Sequence, residues 1–224
     1  EYQGVSFMEA VQLLGERVGI QLTMPVPSHP QQVSPHKALY DMHEEAARFY
    51  HAILMTTKMG EEARAYLYKR GLTDEVLKHF QIGLAPSERT YLYQRLADQF
   101  EEKDLLDSGL FYLSDGNQFH DTFFGRIIFP LTNDKGQVIA FSGRIWQETD
   151  NHTAKYKNSR STSIFNKSYE LYHLDKAKKG TGKIPELYLM EGFMDVIAAY
   201  HAGIENAVAS MGTALSREHV EHLK

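Results

Sequence analysis

The chain has 224 residues, of which 42% are hydrophobic, and a formal net charge of -5. These values predict one large or two modest globular domains. No stretch approaches the roughly 18 uncharged apolar residues of a transmembrane helix, so we expect a soluble protein with no membrane partner. The absence of cysteine excludes disulfides and thiolate zinc ligands from this segment and is typical of an intracellular protein.

The charge is distributed unevenly along the chain. Residues 126–183 contain eleven Lys and Arg against five Asp and Glu, so this window is +6 and the remainder is -11. A basic island in an acidic chain can bind phosphate, because the local field matters more than the total charge. The alternative is an ordinary Lys-rich solvated surface.

The first 36 residues are predicted to lead into the main domain. Residues 1–20 have near-helical apolar spacing, with a possible capping box at Ser6 and Glu9. Residues 21–36 hold four of the seven prolines and show no periodicity, which predicts a linker.

Helices are predicted for the next part of the chain. The first runs from Lys37 to about Lys58, and the second ends at Gly71. A short helix begins at Thr73, the segment QIGLAP is strand-like, and helical spacing returns over 91–100 and about 103–107.

From residue 109 onward the pattern changes to β. The segment LFYLSDGNQFHDTF predicts a hairpin that turns at Asp115 and Gly116. A second hairpin is predicted within RIIFPLTNDKGQVIAFSGRIW, with its polar turn at 133–136. Residues 147–168 lack periodicity and indicate a basic functional loop.

The end of the chain alternates between strand and helix. A helix over 169–179 and a flexible KGTGK joint precede a strand at 186–190, a helix at 193–201, a strand at 207–209 and a helix at about 216–223. This β-α-β-α order predicts a parallel sheet. Two strands are too few for a finished α/β domain, so we expect the segment to be truncated.

Glu191 ends the first of these strands and is followed by Gly192 and a helix. Ligands bind at the carboxyl edge of parallel sheets, so Glu191 is placed to hold a hard divalent cation or to exchange a proton. Asp195, one helical turn later, could add charge at the same point or stabilise the helix start. Taken alone, the segment is better explained as a helix-start turn.

Cationic, aromatic and amide side chains accumulate before this segment. Arg144 ends a hairpin strand, and the next segment supplies four more candidates and a further lysine: Lys155, Tyr156, Asn158, Ser159 and Lys167. This mixture suits a polyanion that carries stackable bases. Any one of these cations could be a surface residue, but together with Glu191 they indicate metal-assisted phosphoryl chemistry on nucleotides. The eleven histidines form no persuasive metal set.

Four segments, in this order, resemble bacterial DnaG-type primases: YLYKRGLTDEVLKHFQIGLAP, RIIFPLTNDKGQVIAFSGR, KYKNSRSTSIFNKSYELYHL and EGFMDVIAAYHAGIENAVASMGTAL. The resemblance covers nearly the whole chain. It implies an α+β N-terminal subdomain of helices and an antiparallel sheet, followed by the first β-α-β-α of an α/β toprim fold, truncated. The implied parts are the end of a linker from an absent zinc-binding domain (1–20), a Pro-rich linker (21–36), the basic-groove subdomain of the primase core (37–183) and the start of the toprim domain (184–224).

The resemblance also implies roles for particular residues. Glu191 matches the toprim glutamate, a metal-linked general acid/base, and Asp195 is a further candidate metal ligand. The residues that match basic-groove positions for template DNA or nucleotide are Arg126, Arg144, Lys155, Tyr156, Asn158, Ser159 and Lys167. The cofactor would be Mg²⁺ or Mn²⁺, with Zn²⁺ only in the absent N-terminal domain. The remaining metal-binding carboxylates would lie beyond Lys224, and His79 stands where relatives have a cation.

The implied activity is that of a DNA-directed RNA polymerase, a nucleotidyltransferase that makes short RNA primers on single-stranded DNA for replication. Its partners would be single-stranded DNA, nucleoside triphosphates, the RNA primer and a replicative helicase, in the cytoplasm at the bacterial nucleoid. We expect this segment alone to be inactive. Two alternatives stay open: another toprim enzyme such as a nuclease or topoisomerase, and a non-catalytic single-strand-binding module.

Overall fold

The computed structural model describes Leu14 and residues 35–147, 154–180, 186–211 and 215–223. The two predicted N-terminal segments, 1–20 and 21–36, thus lie outside the described residues except for Leu14, 35 and 36. The KGTGK joint also lies largely outside them.

Three helices open the described chain: α1 (Lys37–Thr56), α2 (Lys58–Lys69) and α3 (Asp74–His79). Threonine hydroxyls cap α2 and α3, since Thr57 Oγ1 accepts from Gly60 N and Thr73 Oγ1 accepts from Val76 N. Gly71 follows α2 with a φ of +83°, a left-handed conformation that glycine adopts without strain. The predicted helices and the Gly71 stop are confirmed.

A four-stranded sheet forms the centre of the fold. Its strand order is β1 (Gly83–Ala85), β4 (Arg126–Thr132), β5 (Val138–Ile145) and β6 (Tyr156–Asn158), all antiparallel. Helix α1 packs directly on β1, where a Cβ added to Gly83 would lie 2.6 Å from the main-chain carbon of Tyr50. The predicted second hairpin is β4–β5. Strand β6 was not predicted, because three residues are too short for a visible period.

A β-bulge lies at the closed end of the β4–β5 hairpin. Thr132 pairs with Val138, but Leu131 pairs with Ala140, so Ile139 has no residue opposite it. An unpaired residue shifts the register by one and reverses which face later side chains occupy. As a result Arg126 lies opposite Ile145, while Arg144 lies opposite Ile127.

A smaller layer covers one face of this sheet. It contains α4 (Tyr91–Leu96), α5 (Glu102–Asp107) and the hairpin of β2 (Phe111–Leu113) and β3 (Phe119–Asp121). The Asp121 carboxylate accepts from the N–H groups of Leu92 (2.8 Å) and Tyr93 (2.9 Å), which anchors the start of α4 to the hairpin. The predicted hairpin at Asp115 and Gly116 is confirmed.

The segment before the parallel strands is only partly helical. The predicted helix over 169–179 is wrong at its start, since α6 spans Leu174–Gly180. His173 adopts a φ of +69° and Tyr172 forms an isolated bridge with Ala209. A left-handed residue and a strand-like bridge are both incompatible with continuing the helix backwards.

The last described part has the predicted parallel arrangement. Strands β7 (Tyr188–Met190) and β8 (Ala207–Ala209) pair in parallel and are joined by α7 (Phe193–His201), and α8 (Arg217–His222) follows. Phe193 and Val196 of α7 join one apolar core with Ile127 and Phe129 of the sheet. Within the described ranges, no helix has both the length and the apolar character to cross a bilayer.

Candidate functional site: a carboxylate edge facing a cationic sheet

Glu191 lies at the carboxyl edge of the two parallel strands. Met190 pairs with Ala209, so Glu191 and Ser210 are the first residues beyond the paired region. Glu191 is exposed, and Gly192 begins the turn into α7. Asp195 is also exposed, and its Oδ2 accepts from Gly192 N at 3.1 Å, so one carboxylate oxygen already stabilises the helix start.

The opposing wall is one face of strands β5 and β6. Ser142 pairs with Asn158 and Arg144 pairs with Tyr156, and residues two apart on a strand share a face. Arg144 is only 6% exposed and donates from Nη1 to the Tyr156 hydroxyl at 2.8 Å. Its guanidinium carbon lies 5.4 Å from the Tyr156 ring centroid, a cation–π distance. The buried Nε of Arg144 has no hydrogen-bond partner among the described residues.

These two walls enclose one cavity of about 370 Å³. Its lining includes both carboxylates and the cation–aromatic pair: Arg144, Tyr156, Asn158, Glu191, Gly192, Phe193, Met194, Asp195, Ser210 and Met211. Arg144 therefore places a positive charge, fixed by Tyr156, on the wall opposite two carboxylates. A guanidinium held in this way is a group suited to bind phosphate oxygens.

Asn158 and Ser159 are placed differently from each other. Asn158 lines the cavity, but its carboxamide is used internally: Oδ1 accepts from Ser142 Oγ (2.6 Å) and Nδ2 donates to the Met211 carbonyl (3.1 Å). Ser159 is buried, its Oγ accepts from Phe141 N at 3.0 Å, and it is absent from the cavity lining. The structure gives Ser159 a role in the sheet.

Arg126 faces away from this cavity. It donates to the carbonyls of Gly143 and Ala154, and a Cβ on Gly143 would lie 3.0 Å from its Cδ. Lys157 shares this face and donates to the Thr122 carbonyl at 2.7 Å. Burial lowers the pKa of Arg126, and burial together with the positive charges of Arg126 and Arg89 lowers the pKa of Lys157. We name Arg89, Arg126 and Lys157 the far-face cluster; of its three members only Arg126 was predicted as a site residue.

Two further predicted cations lie outside the cavity lining. Lys155 is exposed immediately before β6, and its carbonyl accepts from Ile145 N at 3.0 Å. Lys167 is partly buried in the segment between β6 and α6. His79 lies elsewhere, stacked on Tyr200 with Nε2 3.3 Å from that of His173, and burial lowers its pKa to about 4. His79 is therefore neutral near pH 7.

The cavity offers few ligands for a metal. No group of three or more His, Asp and Glu side chains suited to hold an ion occurs in the part of the chain that the structure describes. Glu191 and Asp195 do supply the exposed carboxylate oxygens that Mg²⁺ prefers, and Mg²⁺ commonly completes its shell with water and substrate phosphates. The donor set is thus compatible with a hard divalent cation held by few protein ligands.

The parallel strand pair and the carboxylate edge first indicate the class of protein to which this part of the chain is similar. A parallel strand pair that ends in the Glu191 edge matches, over residues 185–224, the family model described as the Toprim domain. The chain is in this respect similar to toprim-containing proteins.

The family then follows from the larger match. Residues 49–178 match the model described as the DNA primase catalytic core, N-terminal domain, and the chain belongs to this family. The DNA primase of Lactococcus lactis subsp. lactis (strain IL1403) is 50% identical over 224 residues, covering 100% of this chain and 35% of that protein. The DNA primase of Listeria monocytogenes (strain EGD-e) is 39% identical over 231 residues, covering 100% of this chain and 37% of that protein. The chain thus spans about a third of the length of the curated relatives it matches.

Solved structures agree with this placement. The DnaG primase catalytic domain bound to single-stranded DNA is similar with a TM-score of 0.76 and 35% identity, covering 84% of this chain and 60% of that one. The RNA polymerase domain of the Mycobacterium tuberculosis primase has a TM-score of 0.78 and 32% identity, with 84% and 60% covered. The predicted fold class is confirmed, whereas the exact domain limits stay predictions.

Proposed function

We propose that the whole protein is a DNA primase, a DNA-directed RNA polymerase that makes short RNA primers on single-stranded DNA for replication. The observation that carries the proposal is the shared cavity of Glu191, Arg144 and Tyr156. The names of the relatives and the single-stranded DNA in one similar structure support it.

Arg144 binds a phosphate of the incoming nucleoside triphosphate in this proposal. Its guanidinium is nearly buried and is held by the hydroxyl and the ring of Tyr156, so little side-chain entropy is lost on binding. The Tyr156 ring and hydroxyl hold the guanidinium plane in one orientation. Electrostatic stabilisation of this kind, fixed before the reaction, contributes most to phosphoryl transfer.

Glu191 acts on the reacting hydroxyl. The 3′-oxygen of the growing primer bonds to the α-phosphorus, the bond to pyrophosphate breaks, and Glu191 takes the hydroxyl proton directly or through water. Glu191, with Asp195 as a second candidate, would hold Mg²⁺ or Mn²⁺, which supplies Lewis-acid polarisation of the phosphate. The remaining metal ligands would come from the protein beyond this segment.

The other cations hold template DNA. We assign Lys155 and Lys167 to the template strand near the cavity, and Arg126 with the rest of the far-face cluster to phosphates on the opposite side of the sheet. The far-face cluster lacks a carboxylate partner among the described residues, so its positive charge is not neutralised locally and can attract phosphate. Asn158 and Ser159 support this site indirectly, through their hydrogen bonds to β5.

The rest of the proposal rests on family membership. The whole protein would carry Zn²⁺ in its N-terminal domain, contact the replicative helicase through a region outside this chain, and act in the cytoplasm at the nucleoid. The present segment alone would not synthesise primers, because it lacks most of the metal-binding carboxylates.

Primer synthesis by the intact protein with Glu191→Gln tests the proposal. We expect synthesis to fall about 10²- to 10⁴-fold, because a general acid/base and a metal ligand are lost, while DNA binding is nearly unchanged. The control is Glu186→Gln, since Glu186 is exposed before β7, at the other edge of the strand pair, and should synthesise normally.

Three outcomes would contradict the proposal. Wild-type synthesis by Glu191→Gln would remove Glu191 from the chemistry. Salt-sensitive DNA binding without any RNA product from the unaltered protein would favour a non-catalytic binding module. Cleavage of DNA in place of synthesis would favour another toprim enzyme.

A further inference from the structure

Asn158 joins the two walls of the cavity through a single carboxamide. Its Oδ1 accepts from Ser142 Oγ at 2.6 Å, and its Nδ2 donates to the Met211 carbonyl at 3.1 Å. A carbonyl oxygen can only accept, so the nitrogen must face Met211. This orientation leaves Oδ1 for the serine hydroxyl, and both ends of the amide are engaged.

The two partners of Asn158 belong to the two halves of the site. Met211 is two residues beyond β8, at the same carboxyl edge that carries Glu191. Ser142 and Asn158 are each two residues from Arg144 or Tyr156 on the cationic face. The amide therefore spans from the strands that hold the cation to the loop beside the carboxylate.

The ring contacts between these halves are apolar. Phe193 packs on Phe129 (6.1 Å between ring centroids) and Tyr156 (6.3 Å) of the sheet. Apolar packing is non-directional, so it holds the two walls together without fixing their relative position to a fraction of an ångström. A hydrogen bond to a buried carbonyl has a preferred distance and angle and adds that restriction.

We propose that Asn158 is a positioning residue: it holds the Met211 loop, and with it the Glu191 edge, at the correct distance from Arg144 and Tyr156. This role rests on the proposed function for its catalytic consequence. It replaces the expectation that the Asn158 amide binds DNA or nucleotide directly. Displacement of reacting groups by about 1 Å can reduce a rate about 10²-fold, so loss of this bond should reduce turnover.

Hydrogen exchange of the intact protein without nucleotide tests the positioning itself. In Asn158→Ala, amides of 207–211 and 190–195 should exchange about five- to tenfold faster, the effect expected for loss of one hydrogen bond. The control is Asn206→Ala, because Asn206 Nδ2 makes the same kind of bond to the Glu186 carbonyl (2.7 Å) at the opposite edge of the same strand pair. It should leave exchange of 207–211 at the wild-type rate.

Steady-state synthesis by Asn158→Ala should show a lower kcat, by about 10- to 100-fold, with a nearly unchanged KM for nucleoside triphosphate. A direct nucleotide contact would instead raise KM and leave exchange without nucleotide unchanged, and that result would overturn the proposal. If the protein proves not to be a primase, the exchange experiment still decides whether Asn158 fixes the loop.

Asn158→Asp gives a second test that keeps the side-chain shape. An ionised carboxylate cannot donate to the Met211 carbonyl, whereas a protonated carboxyl can donate there and still accept from Ser142. Because an ordinary aspartate is ionised at neutral pH, 207–211 should exchange faster than in wild type at pH 7 in this variant. Exchange of 207–211 at the wild-type rate would contradict the proposed bond.

Discussion

We expect the folded protein to lose stability in acid because of the buried imidazole of His43. Its side chain is buried in α1, stacked parallel to Phe141 with ring centroids 5.8 Å apart. Nδ1 lies 2.8 Å from the Leu39 carbonyl and Nε2 has no partner among the described residues. Burial lowers the pKa of His43 from 6.5 to about 4, because the charged imidazolium would lose its hydration.

The sign and size follow from proton linkage. The folded pKa lies below the unfolded one, so between pH 6.5 and 4 the unfolded chain binds a proton that the folded chain does not. The stabilisation is present above pH 6.5 and is lost as the pH falls. One pKa unit corresponds to about 1.4 kcal/mol, so His43 alone should remove about 3 kcal/mol between pH 7.5 and pH 4.

Urea unfolding of wild type and His43→Leu at several pH values measures the part of the unfolding free energy that depends on His43 protonation. Trp146, the single tryptophan, packs against the core and reports unfolding by fluorescence. Leucine does not titrate, so the wild type should lose about 3 kcal/mol more than the variant over this range. His201→Leu, at the exposed end of α7, should keep the full wild-type loss. Equal losses in wild type and His43→Leu, within about 0.5 kcal/mol, would refute the reasoning.

Three further predictions concern the scaffold and the two cationic faces. Gly83→Ala should cost about 3 kcal/mol in urea unfolding, because the new Cβ meets the α1 main chain at 2.6 Å, while Gly116→Ala, with no atom within 4 Å, should change little. Asp121→Ala should lower the unfolding free energy by about 1–2 kcal/mol through loss of the α4 anchor, and an unchanged urea midpoint would contradict it. Arg126→Ala should reduce the salt dependence of DNA binding by about one phosphate contact, whereas Arg144→Ala, on the opposite face at the proposed nucleotide site, should leave it unchanged. An equal reduction in both variants would place both arginines on the template path.

The sequence was sufficient where local chemistry decides the structure. Gly71 permits the left-handed turn after α2, and the alternation of apolar segments after residue 186 determines the parallel pair and thus the place of Glu191. The sequence was not sufficient to place the start of α6, because the bridge of Tyr172 to Ala209, which ends the helix there, joins residues far apart in the chain. Local spacing carries no signal for such a bridge.

The face occupied by Arg126 shows the same limit within the site. Continuing the pairing of Thr132 with Val138 would place Arg126 opposite Arg144, with both side chains in one groove. The unpaired Ile139 moves the register by one residue and puts the two arginines on opposite faces. A bulge depends on how the whole sheet packs, and the residue pattern of the hairpin does not show it.

The most direct test of the central claim is a crystal structure of the intact protein with Mn²⁺ and a nucleoside triphosphate, with the metal located by anomalous scattering. We predict Mn²⁺ in contact with the Glu191 carboxylate and a triphosphate oxygen within hydrogen-bond distance of the Arg144 guanidinium, both in the same cavity. Metal bound away from Glu191, or a triphosphate that leaves Arg144 without a phosphate contact, would contradict the account.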